Sequence, residues 1–278
     1  MKFCLFRAFL LIGMLALPNT IAAKEQSMEE KLFAEAKEQW KTSRQADDRA
    51  VKTLDKAIKL NPKRADYYNL KAQWLWNLED DDKLGLQSAE KSIALNPMAA
   101  YPWLLKAKFL GRLNRNEEAL SAVNTAITLS PEAHCYYDKA QLLKKMGHYK
   151  ESEKNLDTAL KLSPDDIDSL AVRADLRMQS KNYKGVLADT DAALKTNLAP
   201  MITIHRRMLL LRAEAYRQLK DYSKARKCYE DALKLFSSDR NVASSAQKFF
   251  AEIGDKEMVQ RLQAKLKQLD SDIVPLGM

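Results

Sequence analysis

The chain has 278 residues, of which 46% are hydrophobic and 30% are charged, and its formal net charge is +9 at pH 7. This apolar content is enough to build a core and too high for an intrinsically disordered chain. Only 7 Gly and 8 Pro are present, which argues against turn-rich sandwiches and barrels and against folds that bind nucleotides through glycine-rich loops. The composition therefore predicts an all-helical protein.

A targeting segment is predicted at the N-terminus. Two basic residues are followed by an apolar run from Ala8 to Leu17 and by small residues up to Ala23, which is the pattern of a secretory signal peptide. The run is shorter than the roughly 20 apolar residues that a membrane-spanning helix needs. We therefore expect residues 1–23 to be removed on export, which makes the protein periplasmic or secreted. Retention of the segment as a membrane anchor is the alternative.

Two cysteines, Cys135 and Cys228, remain after residue 23. They are too few for a disulfide scaffold and lie far apart in the sequence. We expect both to be small buried apolar residues without a bridge between them.

A repeated segment organises the rest of the chain. Four similar segments end in proline, at Pro62, Pro97, Pro131 and Pro164, and read DKAIKLNP, EKSIALNP, NTAITLSP and DTALKLSP. Related sequences without the proline surround Ala193 and Ala232. Within each repeat, apolar residues recur at helical spacing in two stretches of about 14 residues. Each repeat is thus predicted to be a helix hairpin, closed by a proline that cannot continue the second helix.

Small residues mark the positions where the two helices of a hairpin must approach closely. These residues are Ala72, Ala107, Ala140, Ala174 and Ala213 in the first helices and Ala57, Ala126, Ala159, Ala193 and Ala232 in the second. Acidic residues at 80–82 and 165–166 are placed to cap the helices that follow them.

These features resemble the tetratricopeptide repeat family. One repeat of that family's 34-residue frame is matched by Trp103, Ala107, Leu110, Ala119, Val123, Ala126 and Pro131, and another by Ala213, Tyr216, Tyr222, Ala225, Tyr229 and Ala232. Elsewhere the match is partial, because Arg177 stands where an aromatic is usual, Ser92 replaces an alanine, and about five residues are inserted near 199–205. The resemblance implies an all-α, right-handed α-solenoid of helix hairpins with a C-terminal capping helix pair.

The repeat pattern also implies a division of the chain. About six repeats are expected in residues 24–239, at roughly 31–64, 65–99, 100–133, 134–166, 167–205 and 206–239, followed by capping helices at 240–270 and a flexible tail at 271–278.

The resemblance further implies a concave groove, lined by the first helices of the hairpins. The residues at the family's groove-facing positions are Asn69, Gln73, Trp76, Tyr101, Lys108, Arg112, Tyr137, Gln141, Lys144 and Arg217. Trp76 and Tyr137 are the preferred anchors, because aromatic side chains bury a large rigid area at binding hot spots. The alternative is that each of these rings only packs on the next hairpin.

The sequence shows no constellation typical of catalysis. Its three histidines, His134, His148 and His205, fall in different repeats, and the chain has neither a paired-cysteine metal motif nor a glycine-rich phosphate loop. We expect no enzyme activity, no metal ion and no cofactor.

The leading hypothesis is a non-catalytic scaffold or adaptor that binds a peptide or a partner helix in the groove, in a bacterial cell envelope or secretion pathway. One alternative is an exported effector that binds a host protein. Another is contact with an anionic surface, because residues 206–270 contain 15 basic and 9 acidic residues, with a cluster at Lys220, Lys224, Arg226 and Lys227. Export argues against nucleic acid as the partner.

Overall fold

The computed structural model describes residues 5–42, 48–78, 81–196 and 202–271, with the side chains of 24–42, 49–78, 81–196 and 202–271. These residues form 14 α-helices and no strand. The helices are α1 (Leu5–Thr42), α2 (Asp48–Leu60), α3 (Ala65–Leu78), α4 (Asp82–Leu95), α5 (Ala100–Arg112), α6 (Asn116–Leu129), α7 (Ala133–Lys145), α8 (Tyr149–Leu162), α9 (Ile167–Gln179), α10 (Tyr183–Leu194), α11 (Ile202–Gln218), α12 (Tyr222–Leu235), α13 (Arg240–Glu252) and α14 (Lys256–Ser271).

Consecutive helices pack in pairs, from α1 with α2 to α13 with α14. The chain divides into two compact units, unit 1 at 1–131 and unit 2 at 132–278. Within each unit the second helix of one hairpin also packs on the first helix of the next, as α4 does on α5 and α10 on α11. The predicted all-α solenoid of helix hairpins is therefore confirmed.

The alanines predicted at the helix crossings are all buried. Nine of the ten are 0% exposed, and Ala107 is 6% exposed. A side chain no larger than a methyl group lets two helix axes come close, because the neighbouring helix then packs directly against the backbone. Ser92, which replaces one of these alanines, is also buried and donates a hydrogen bond to the Ala65 carbonyl at 2.9 Å. The serine therefore keeps the close approach and satisfies its own hydroxyl group.

The predicted helix ends are also found. Asp81 accepts hydrogen bonds from the backbone N–H groups of Lys83 and Leu84, at 3.0 and 2.9 Å, and Asp166 accepts one from Ser169 at 3.0 Å. These carboxylates satisfy N–H groups that have no partner within the first turn of a helix.

Ion pairs join successive hairpins at a regular spacing. The pairs are Lys71 with Asp55 at 2.6 Å and Lys106 with Glu90 at 2.9 Å in unit 1, and Arg173 with Asp157 at 2.7 Å and Arg212 with Asp191 at 3.0 Å in unit 2. The first three pairs are 16 residues apart and the last is 21 apart. The insertion near 199–205 lies between Asp191 and Arg212 and lengthens the sequence between them. The ion pair nevertheless joins the same two repeat positions as in the other hairpins.

The irregular repeat around Arg177 contains a buried charge network. Asp189 is 1% exposed and accepts hydrogen bonds from Arg173 at 2.6 Å and from Arg177 at 2.9 Å. Arg177 also donates to Glu153 at 2.8 Å. Burial raises the pKa of Asp189 and outweighs the opposing effect of the two guanidinium groups. Arg177 thus replaces the usual aromatic with polar contacts that link α8, α9 and α10.

Both cysteines of unit 2 are buried and carry free thiols, as expected. Burial raises the pKa of Cys228, which keeps this thiol in its less reactive protonated form.

Several predictions concern the ends of the chain. Residues 5–23 belong to the long helix α1, whereas residues 1–4 and the side chains of the predicted signal peptide lie outside the described structure. Most of the tail, 272–278, also lies outside it. None of the helices in the described ranges combines the length and the apolar character needed to cross a bilayer. Cleavage after Ala23 stays a prediction.

The packing of Gly85 against the next hairpin supplies a test of the fold. A Cβ atom at Gly85 would lie 2.2 Å from Cζ of Phe109, whose ring is fully buried. We expect Gly85→Ala to lower the free energy of unfolding by about 1–3 kcal/mol, since an overfilled core forces its neighbours to move. Urea denaturation of the purified protein measures this change.

The matched control is the double variant Gly85→Ala/Phe109→Leu. It should be more stable than the sum of the two single effects predicts, because the smaller leucine leaves room for the added methyl group. Additive effects would show that residues 85 and 109 do not contact each other.

Candidate functional site

In each unit the first helices of successive hairpins contact one another, through ring stacking between α1 and α3, an ion pair between α7 and α9, and helix packing for the others. We call the surface that they form the first-helix face. It consists of α1, α3 and α5 in unit 1 and of α7, α9, α11 and α13 in unit 2. The ten predicted site residues all belong to these helices, six to α3 and α5 and four to α7 and α11.

The structure brings three of the predicted residues in unit 1 together around Trp76. The guanidinium carbon of Arg112 lies 3.5 Å from the centroid of the Trp76 ring, and Nζ of Lys108 lies 5.4 Å from it. Phe109 meets the same ring edge-on, with 5.6 Å between centroids. Arg112 also pairs with Asp82 at 3.2 Å. Trp76 therefore packs on the next hairpin and holds a cation against its face.

The other three predicted residues of unit 1 differ in exposure. Tyr101 is 39% exposed, whereas Asn69 and Gln73 are half-buried. The side-chain oxygen of Asn69 is buried and has no hydrogen-bond partner among the described residues. Such an oxygen costs about 1–3 kcal/mol relative to a satisfied one.

In unit 2, Tyr137 and Gln141 form one contact on α7. The half-buried ring of Tyr137 packs against the core cluster that contains Leu156 and Val172. Gln141 donates a hydrogen bond from its side-chain nitrogen to the Tyr137 hydroxyl at 2.8 Å. Burial is the main cause that raises the pKa of Tyr137. The ring therefore contributes to packing, with its hydroxyl held by the neighbouring amide.

Lys144 belongs to a group of charges that extends over three helices. Its Nζ atom lies 3.7 Å from a carboxylate oxygen of Asp175, and Arg207 of α11 pairs with the same carboxylate. Burial, reinforced by the positive charge of Arg207, lowers the pKa of Lys144. Burial lowers the pKa of Arg207 as well. Two partly buried cations therefore share Asp175.

A cavity of about 640 Å³ opens between α11 and α13. Its walls are formed by Thr203, Arg206, Arg207, Leu210, Leu211, Glu214, Arg217, Tyr229, Asn241, Ser245, Lys248, Phe249 and Glu252. Among these residues, Arg217 bridges the two helices, since it pairs with Glu214 at 2.5 Å and with Glu252 at 2.6 Å.

Arg217 is the one residue of this cavity that was predicted from the sequence. The residues of α13 were missed because 240–270 was interpreted as a cap, and most residues of α11 because the insertion near 199–205 left its register open. A signal was present in α11, where Arg207, Leu211 and Glu214 recur at helical spacing on one side.

The basic cluster of the last repeat is partly neutralised inside the protein. Lys224 pairs with Asp221 at 2.8 Å, and Arg226 pairs with Asp255 at 2.8 Å. Two of the four charges predicted to meet an anionic surface therefore already have partners.

The histidines occupy separate environments. His134 and His148 each lie beside a glutamate at the surface, whereas His205 packs edge-on against Phe236 at 5.7 Å between centroids. In the part of the chain that the structure describes, no three His, Cys, Asp or Glu side chains are placed to hold a metal ion.

The hairpins and their buried alanines define the class of protein. A tetratricopeptide repeat model matches residues 207–239, which correspond to α11 and α12, and the chain is a tetratricopeptide-repeat protein. The model of the ChAPs family, the Chs5p-Arf1p-binding proteins, matches residues 41–203, more than half of the chain. The chain therefore belongs to the ChAPs family. A comparison with curated proteins gave no match.

Solved structures of the same fold have low sequence identity to the chain. PilF of Pseudomonas aeruginosa has a TM-score of 0.64 at 19% identity, over 82% of this chain and 99% of its own. YrrB, described as a TPR protein with an unusual peptide-binding site, has a TM-score of 0.56 at 18% identity, over 73% of this chain and 99% of its own. A chain of the APC/C hetero-tetramer Cut9-Hcn1 has a TM-score of 0.59 at 15% identity over 80% of this chain. The match spans only 43% of that longer chain. These likenesses show the fold alone.

The contacts of Trp76 supply a test of its structural role. Trp76→Ala should lower the free energy of unfolding by about 2 kcal/mol, because it removes the contacts with Phe109 and Arg112. Tyr101→Ala, at a more exposed position, should change it by less than about 1 kcal/mol. Chemical denaturation followed by circular dichroism compares the two variants. Unchanged stability in Trp76→Ala would contradict the packing role and restrict this ring to contact with a partner.

Proposed function

We propose that this chain is a non-catalytic scaffold that binds a protein or peptide on its first-helix faces. The cavity between α11 and α13 carries the proposal, because it combines an apolar floor with a polar, charged rim. Sites that bind ligands in proteins have this composition, since the floor supplies affinity and a few polar groups select the orientation. The aromatic and arginine side chains on these helices are of the types that dominate binding energy at interfaces.

The class of protein supports the same function. Tetratricopeptide-repeat proteins are generally scaffolds that hold other proteins. Among the similar structures, YrrB is described as having an unusual peptide-binding site, and Cut9-Hcn1 is described as a hetero-tetramer. A solenoid also suits this task, because neighbouring hairpins offer side chains to one continuous surface.

The N-terminal sequence supports a place for this scaffold in a bacterial cell envelope or secretion pathway. The apolar run from Ala8 to Leu17 after a basic start is the pattern that export machinery recognises. An exported effector that binds a host protein is the second candidate, and it rests on the same segment.

Expression of the whole chain in a Gram-negative bacterium tests the proposed location. We expect the protein in the periplasmic or secreted fraction, with Lys24 as its first residue by mass spectrometry. Leu11→Arg, which interrupts the apolar run, should abolish export. A membrane-bound product that retains residues 1–23 would instead establish an anchor.

Selection of peptides from a random displayed library on the purified full chain tests binding at the cavity. Ser245→Trp places a large ring in the cavity, and Ser223→Trp makes the same change on an exposed position of α12. Selected peptides should bind Ser245→Trp at least about tenfold more weakly than the wild type and bind Ser223→Trp equally well. Circular dichroism confirms that both variants are folded.

Two results would contradict the proposal that the cavity binds peptides. One is a library from which no peptide is enriched. The other is a set of enriched peptides whose affinity is the same for Ser245→Trp and for the wild type.

A further inference from the structure

We propose that the cavity between α11 and α13 selects an acidic peptide segment. A carboxylate of the segment pairs with Lys248, and its neighbouring apolar side chains pack on Leu210 and Leu211. This inference rests on the proposed function and adds the chemistry of the partner.

The floor of the cavity is apolar and firmly held. Phe249 is 1% exposed and Tyr229 is 3% exposed, and their rings stack with 4.8 Å between centroids. Leu210 and Leu211 line the same cavity and are half-buried, so part of their surface is still open. An apolar side chain that enters gains the burial of this surface without having to reorganise the rings beneath it.

The charge around this floor is unevenly balanced. Four cations and two carboxylates line the cavity. Arg217 pairs with both carboxylates, Glu214 and Glu252, so a single cation accounts for both negative charges. Arg206, at one end, is held by Asp239. The remaining cations of the lining are Arg207 and Lys248.

Lys248 is the cation of this lining that the described part of the protein does not neutralise. Arg207 pairs with Asp175, which it shares with Lys144, and the negative charge of Asp168 also acts on Arg207. Lys248 is exposed and pairs with no carboxylate of the described residues. A carboxylate that enters the cavity beside Lys248 supplies the negative charge that this lysine lacks.

The combination of features favours a peptide over a nucleic acid. Nucleic acids are held mainly through their phosphates and make little use of an apolar floor. An acidic peptide that also carries apolar side chains uses both parts of the cavity, because its carboxylates meet the basic rim and its apolar side chains meet the leucines.

Fluorescence anisotropy of a short labelled peptide with alternating Glu and Leu, added to the full chain, tests the inference. Lys248→Glu should weaken binding about tenfold. Lys234→Glu makes the same charge change on an exposed position of α12 outside the cavity, and it should weaken binding less than about twofold. Circular dichroism of both variants verifies that the helices are retained.

Three results would overturn the inference. Equal weakening by the two variants would mean that the peptide responds only to total charge. Equally tight binding of a peptide with alternating Lys and Leu would remove the acidic preference. Tighter, Lys248-dependent binding of an oligothymidylate would make this a nucleic-acid site.

The same measurements separate this inference from the proposed function. Suppose that library peptides bind Ser245→Trp more weakly than the wild type but the acidic probe does not bind. This result would support peptide binding at the cavity and refute the preference for acidic peptides. Failure of both would refute the two together.

Discussion

The close approach of helices at buried alanines is the constraint on which the rest of the structure depends. A hairpin of two short helices cannot bury its apolar side chains alone, so each must pack on its neighbours in the chain. Ala57 and Ala72, both fully buried, allow this approach on successive helices. At Gly85 the approach is closer still, because a residue without a side chain is needed to leave room for the ring of Phe109. The face formed by the first helices follows from this stacking.

Charged residues inside the stack join neighbouring helices. Asp189 lies fully buried between two arginines, where each charge is tolerable only because its partners are present. The ion pairs that join successive hairpins, such as Lys71 with Asp55, also place opposite charges in contact, but at more exposed positions. At the cavity between α11 and α13 the balance is different, because Lys248 pairs with no carboxylate of the described residues. That contrast distinguishes charges that hold the fold from charges that remain to meet a partner.

The candidate site was predictable in part from the sequence. The repeat frame placed all ten predicted residues on first helices, because a helical period fixes which positions lie on one side. It did not show that Arg112 covers the ring of Trp76, nor that Arg217 joins Glu214 to Glu252. Such contacts depend on side-chain rotamers and on the distance between helices, which a pattern of residue types does not contain.

The sequence by itself determined the helix hairpins, the alanines at their crossings and the carboxylate caps, because these follow from local spacing and from the chemistry of single residues. The tertiary structure alone decided the partners of Asp189, the sharing of Asp175 by two cations and the cavity between α11 and α13. These features join residues from helices that are distant in the sequence, and each depends on how closely those helices pack. Local propensity sets the elements, whereas burial and charge balance between elements set the site.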